Sequence, residues 1–446
     1  MENIIIDLLN IDKSSIEHLH CIKENDTLNI HLTFKKQLLL CQCGYSEPMV
    51  FKEYYVKKIK HNLINHLKTI IHYHARRYRC SICKKSCYEP NPLSAPFQKK
   101  TFSLSTNIIT KLTKPEKSFS SVANELSMSP TTVINSFDQS VNDSRKQLSE
   151  VLCLDELYFS RYSSYKYCCV LVDFQTKELV DMIESRKKYS LSKYFDSISL
   201  EERNKVNFVC IDFYQPYKQI VSLKLKKAKI CIDKFHVIQL LNSYLDKIRL
   251  KVMKNYTKQS NEYYLLKKFK FLLFKSKEYD INDEPKFNRK LNGYYNYHRL
   301  LTTILRIDIE LKVAHSIRKS VEYFLNKPCT DLDLLSLYFD QIISEIQDSK
   351  ISEFIPLINT LESWRKEILN SFVWFNGRRI SNGPIESVNA KLKKIKNNGN
   401  GYANFARFRA RCFLVINKDF YLKDKSSFNY IKMKKPPRGP YKKRQR

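Results

Sequence analysis

Two cysteine pairs and three widely spaced acids are the residues whose types and spacing could do chemistry. Cys41-x-Cys43 and Cys80-x-x-Cys83 set soft thiolates on two separate turns, the donor set that tetrahedral zinc takes. The first pair is one residue tighter than the usual knuckle. Cys87, His61, His66, His72 or His74 could therefore replace one member, and four buried free cysteines are the alternative reading. Asp155 closes the apolar run "VLCLD" and Asp212 closes "VNFVCID". Carboxylates at the ends of two adjacent buried strands can converge on divalent cations. Mg²⁺ favours a few carboxylates together with water and phosphate oxygens. Two such ions about 4 Å apart activate the attacking oxygen and stabilise the leaving one in phosphoryl transfer. Taken singly, each aspartate is more often a turn former or a surface residue. Glu156, Asp173 and Asp233 are acids of similar placement, Glu156 being the nearest substitute for Asp155.

The third acid lies in "NGPIESVNAKLKKIK", residues 382–396. Pro384 suits the first position of a helix, which puts Glu386 at the third, where a carboxylate satisfies free amides and the macrodipole. Capping alone does not explain the cationic face that follows. Asn389 and Lys393 fall on the stripe of Glu386, one and two turns further along. An acid, an amide and a lysine in a row fit metal plus phosphate binding better than a cap alone.

These residues need elements to position them. Residues 1–95 read as short strands and turns around the cysteines; "LNIHLTF" alternates as a half-buried strand does. Proline-rich "EPNPLSAP" marks a boundary. Residues 100–148 turn helical, and "SVANELSMSPTTVINSF" has the pattern of a helix-turn-helix. One helix ends near Leu126 and a second starts at Pro130. Ala123 allows close approach, and Ser129 is placed to cap the second helix. Ser129, Thr131, Thr132 and Asn135 would then face the major groove. Ser127 stands where such turns usually carry Gly, so a left-handed backbone there is mildly strained. From 150 to 238 the runs give three strands, a helix, a strand, a helix and a strand, an α/β layer arrangement. Residues 239–375 stay helical, 376–425 hold the final helices, and 426–446 form a basic, disordered tail.

The 446 residues carry a net charge of 78 − 45 = +33, far beyond what solubility requires. Nucleic acid is the commonest partner for such an excess. No run of about 18 apolar residues suggests a membrane span. The acidic start "MENIIIDLLN" is unlike a signal peptide. Thirteen cysteines, many in apolar strands, suit a reducing cytoplasm. The bias toward Lys, Asn and Ile suggests an AT-rich bacterial genome.

"CLDE", "CIDFYQPY", "CIDKFHV" and "NGPIESVNAKLKKIKNNGNGYANFARFRAR" resemble the blocks of bacterial insertion-sequence transposases of the ISL-three family, with the cysteine pairs and helix-turn-helix upstream in matching order. The resemblance implies a multidomain α+β protein. An N-terminal zinc-binding domain and a helix-turn-helix would precede an RNase H-like α/β catalytic core, itself interrupted by an all-helical insertion. It implies a DDE triad of Asp155, Asp212 and Glu386, with spacings of 212 − 155 = 57 and 386 − 212 = 174, holding two Mg²⁺ ions that Mn²⁺ can replace. His236, in "DKFH", would face DNA or support the site, with a satisfied core histidine equally open. Asn389, Lys393, Arg407, Arg409 and Arg411 would contact DNA. The implied activity is cleavage and strand transfer of double-stranded DNA at the element's terminal inverted repeats, by a homodimer or larger synaptic assembly at the bacterial nucleoid. A domesticated DNA-binding protein and an RNase H-like nuclease without strand transfer are the alternatives.

Overall fold

The computed structural model describes residues 2–44, 46–142, 144–160, 164–276 and 284–417. The tail expected at 426–446 lies outside the described residues. The chain divides into two compact units, Met1–Ser144 with Lys391–Arg446, and Arg145–Ala390.

The first unit opens with α1 (Glu2–Leu9) and strands β1 (Ile16–Glu24), β2 (Thr27–Phe34), β3 (Val50–Lys60), β4 (Lys68–Arg79) and β5 (Ser86–Tyr88). Their order is β1-β2-β4-β3, with β5 also on β4. Strand β2 lies parallel to β4, and the other pairs are antiparallel. The expected alternation appears in β2, where Leu28, Ile30, Leu32 and Phe34 turn into a core with Ile59, Ile71 and Tyr73. Strand β3 forms an edge and is exposed along most of its length, including Phe51, Tyr54 and Tyr55. Helices α2 (Phe102–Leu112), α3 (Phe119–Glu125) and α4 (Pro130–Ser140) follow.

The second unit contains β6 (Val151–Tyr158), β7 (Tyr167–Asp173), β8 (Leu179–Ile183), α5 (Lys188–Asp196), α6 (Leu200–Arg203), β9 (Phe208–Ile211), α7 (Gln215–Lys224) and β10 (Lys229–Ile232). This is the order read from the sequence, with the one-turn α6 added. The sheet runs β10-β9-β6-β7-β8. Strands β6, β9 and β10 are mutually parallel, whereas β7 is antiparallel to both β6 and β8. Cys168 to Val172 are all fully buried, which explains an unbroken apolar run in place of alternation.

The helical stretch comprises α8 (Lys234–Met253), α9 (Asn261–Lys268), α10 (Phe271–Phe274), then α11 (Tyr297–Ile307), α12 (Ile309–Leu325), α13 (Leu332–Asp348), α14 (Ile355–Ser363) and α15 (Arg365–Asn370). It differs from the all-helical insertion expected, because a hairpin of β11 (Lys286–Asn288) and β12 (Gly293–Tyr295) interrupts it. Asn288 Oδ1 fixes that turn by accepting from the Lys290 and Leu291 amides, and Asn292 takes a left-handed backbone. A second hairpin, β13 (Trp374–Phe375) and β14 (Arg378–Arg379), turns on left-handed Asn376 and Gly377. Helices α16 (Gly383–Asn398) and α17 (Phe405–Ile416) close the described chain. Of the expected segment 376–425, residues 376–390 group with the α/β layer. The division falls after Ala390, and α17 buries Ala410 and Leu414 with Leu104, Val122, Val133 and Phe137 of α2–α4.

Candidate functional site

Asp212 directly follows β9, as read from the sequence. Asp155 does not end its strand: β6 continues to Tyr158, with Asp155 opposite Val170 of β7. The rungs to β9 stop at Cys153, so Asp155 stands two residues past the shared ladder. Burial and the charge of Asp212 push its carboxyl up to about 6. Both aspartates are held by asparagines from one short segment. Asn389 Nδ2 donates to Asp155 Oδ2 at 2.6 Å, and Asn382 Nδ2 donates to Asp212 Oδ1 at 2.7 Å. His236 Nε2 lies 2.7 Å from the same Asp212 oxygen. Burial opposes the charge of His236, but its hydrogen bond to Asp212 and the Asp212 charge outweigh this and raise its pKa.

The other acids have different tasks. Asp233 is buried, caps α8 by accepting from the Phe235 amide at 2.8 Å, and also accepts from the Asn382 amide. Glu156 pairs with Arg186 at 2.5 Å and, as the next residue along a strand, points to the opposite face from Asp155. Asp173 is a turn former, accepting from the Gln175 amide and the Thr176 hydroxyl.

Glu386 is exposed in the first turn of α16, four residues after Asn382 and three before Asn389. It therefore shares a stripe with the two side chains that hold Asp155 and Asp212. Among the described residues, only the four cysteines form a group of three or more metal-donor side chains with ligand atoms within 4.8 Å of one another. The three acids are not drawn that close. Asn389, expected on DNA, is instead buried against Asp155, where its amide donates to Oδ2 while the Glu156 amide donates to Oδ1. Asn382, two residues before Pro384, is the residue that sequence reasoning passed over. The carboxamide oxygens of Asn382 and Asn389 are buried without a hydrogen-bond partner. Hard, orphaned oxygens beside two carboxylates are a donor set that fits Mg²⁺.

The cysteine quartet is assembled in the first unit. Cys41 Sγ and Cys83 Sγ are 3.4 Å apart, and Cys43 Sγ and Cys80 Sγ 3.7 Å. Left-handed Gly44 and Lys84 tighten the two turns. The Cys83 and Ile82 amides hold the Cys80 thiol down to about 6. The Cys43 amide draws the Cys41 thiol down, yet crowding by the Cys83 and Cys43 thiols drives it up to about 12. Four thiols so close cannot all ionise without a cation between them, so the set could hold zinc. Four of the five proposed substitutes are engaged elsewhere: Cys87 meets Met49, His61 meets Thr101, His72 meets Asn29 and His74 meets His31.

In the helix pair, the Met128 amide bonds Ala123 O at 2.9 Å, Ser127 is left-handed (φ +49°), and the Ser129 hydroxyl caps α4 at the Thr132 amide. Thr131 and Asn135 are exposed and Thr132 is half-buried. Lys393 is exposed, and Arg409 stacks on Phe413 with its guanidinium 4.8 Å from the ring centre. Two of the arginines expected on phosphate are already engaged. Arg407 forms a two-bond pair with Asp138 at 2.8 and 3.0 Å. Arg411 is fully buried and donates to the Lys114 and Lys117 carbonyls, because those carbonyls lie at α2–α3 loop positions with no helical partner.

Residues 152–412 match a family of transposases. This stretch spans the five-stranded sheet, the helical region and α16, and the chain belongs to the ISL-three family of transposases. No curated protein matches the sequence. No helix among the described residues is long and apolar enough to cross a membrane.

Proposed function

We propose that the protein cuts and joins DNA at the ends of an insertion sequence, with Asp155, Asp212 and Glu386 as a DDE triad on an RNase H-like core. The observation that carries this reading is the stripe along α16 and the residue before it, where Asn382 and Asn389 hold the two aspartates and Glu386 lies between them in sequence. The strand order, with four strands running one way and β7 alone reversed, supports the RNase H-like assignment. Asp155, Asp212 and Glu386 would hold Mg²⁺, which when bound supplies charge neutralisation and a more acidic water. The protein's own groups do the rest. Asn382 and Asn389 fix the carboxylates, and His236 compensates the charge of Asp212. Hydrolysis of the phosphodiester at the element end leaves a 3′-hydroxyl and a 5′-phosphate. That hydroxyl then attacks a target phosphodiester in line, and the displaced 3′-oxygen departs with the other target strand.

The zinc-bound cysteine turns and the α3–α4 pair would read the terminal inverted repeats, with Ser129, Thr131, Thr132 and Asn135 at the groove. Lys393 and Arg409 would contact phosphate. A dimer or larger assembly would bring two ends together. The test uses a duplex that carries the flanking inverted repeats and a target plasmid. Asp155→Asn, Asp212→Asn and Glu386→Gln should each reduce cleavage at least about a thousandfold while end binding persists. Retained cleavage in one of them removes that residue from the triad, and cleavage without joined products makes the protein a nuclease.

A further inference from the structure

Five of the protein's ten histidines sit on β1, β2 and β4 of the N-terminal sheet: His18, His20, His31, His72 and His74. Strand register puts His20 opposite His31 and His31 opposite His72, on the face away from Ile30, Leu32 and Ile71. Half the histidines on one face is more than a solvated strand requires. His31 Nδ1 and His74 Nε2 stand 3.2 Å apart. Two nitrogens bound at about 2.05 Å to one tetrahedral ion are about 3.3 Å apart. The His31 ring stacks on His72 with centroids 4.6 Å apart and planes 14° apart. His72 Nε2 lies 2.9 Å from Asn29 Oδ1, and Asn29 donates to Glu24 at 3.1 Å. That chain fixes the stack as outer partners fix ligand rings at metal centres. His18 and His20, both exposed, line the same shallow concavity as His31 and His74.

We propose that this face binds one divalent transition-metal ion, zinc or its neighbours, through the preformed pair His31 Nδ1 and His74 Nε2, with exposed His18 or His20 turning inward to complete the shell on binding. Imidazoles favour such ions over Mg²⁺. Being neutral, they leave the ion's charge on an already basic domain. The site shares no residue with the cysteine quartet and is independent of the triad.

Zinc-loaded full-length protein, dialysed against metal-free buffer, should hold two zinc ions per chain by elemental mass spectrometry. His31→Ala/His74→Ala should hold one. With cobalt in place of zinc, that variant should keep the charge-transfer and ligand-field bands of the thiolate site and lose only the ligand-field absorption of the imidazole-bound ion. One zinc in the parent, or two in the variant, overturns the proposal. Circular dichroism checks folding. If the double variant does not fold, His18→Ala/His20→Ala, at exposed positions, replaces it. A second ion bound at least about tenfold more weakly supports the site, and unchanged affinity overturns it.

Discussion

A buried carboxylate beside another of its kind is costly to ionise, and Asp155 shows that cost in a pKa raised to about 6. The sign follows from linkage. The folded state holds this proton more tightly than the unfolded chain does. The stability Asp155 contributes is therefore present below its ordinary value near 4, and is lost as pH rises through about 6. Metal-free Asp155→Asn should consequently resist urea better than the parent at pH 7, by on the order of 2 kcal/mol, and no better at pH 4. Added Mg²⁺ should narrow the gap at pH 7 by stabilising the parent. Asp155 and Asp212 were legible because acids beside apolar strands are rare and costly. Asn382 was not, because its partner Asp212 is 170 residues away and nothing local distinguishes a clamp from a cap. Asp233, set aside in the sequence as an acid of merely similar placement, is a scaffold acid that caps α8.

At the scale of elements, local chemistry was read well and distant packing poorly. Both ends of the α3–α4 turn followed from Ser127, Ser129 and Pro130, because caps and left-handed residues act within one turn. Ser127→Gly should therefore raise the thermal midpoint by relieving about 1 kcal/mol of backbone strain, and Ser129→Ala should lower it by removing about 1 kcal/mol of capping. Calorimetry on the two variants tests the pair together, because the shifts must have opposite signs. Helix α17 was the opposite case. Its arginine-rich sequence looked like a phosphate-binding face, yet Arg411 is spent on carbonyls 297 and 294 residues away. No periodicity could have announced that. The α16 boundary was equally hidden, since the division after Ala390 falls inside a continuous helix with no break in composition.

Over the whole molecule, the charge of +33 was visible at once and bears directly on affinity. If the unit of strands and helices grips DNA through six to ten phosphates, end binding should fall about a thousandfold or more between 50 and 200 mM salt. Fluorescence anisotropy across that range measures the slope, and a flat response would mean that the basic surface is not the contact. The edge strand β3 gives this charge a second use. Its outer edge is closed at Lys60, which bonds the Lys99 carbonyl and the Thr101 amide, while the residues before it leave Phe51, Tyr54 and Tyr55 laid bare beside Lys52 and Lys58. A margin that sticky invites identical chains to zip together. The ammonium groups make each copy repel the next, so the molecule stays dispersed in dilute electrolyte and begins to clump when brine shields them.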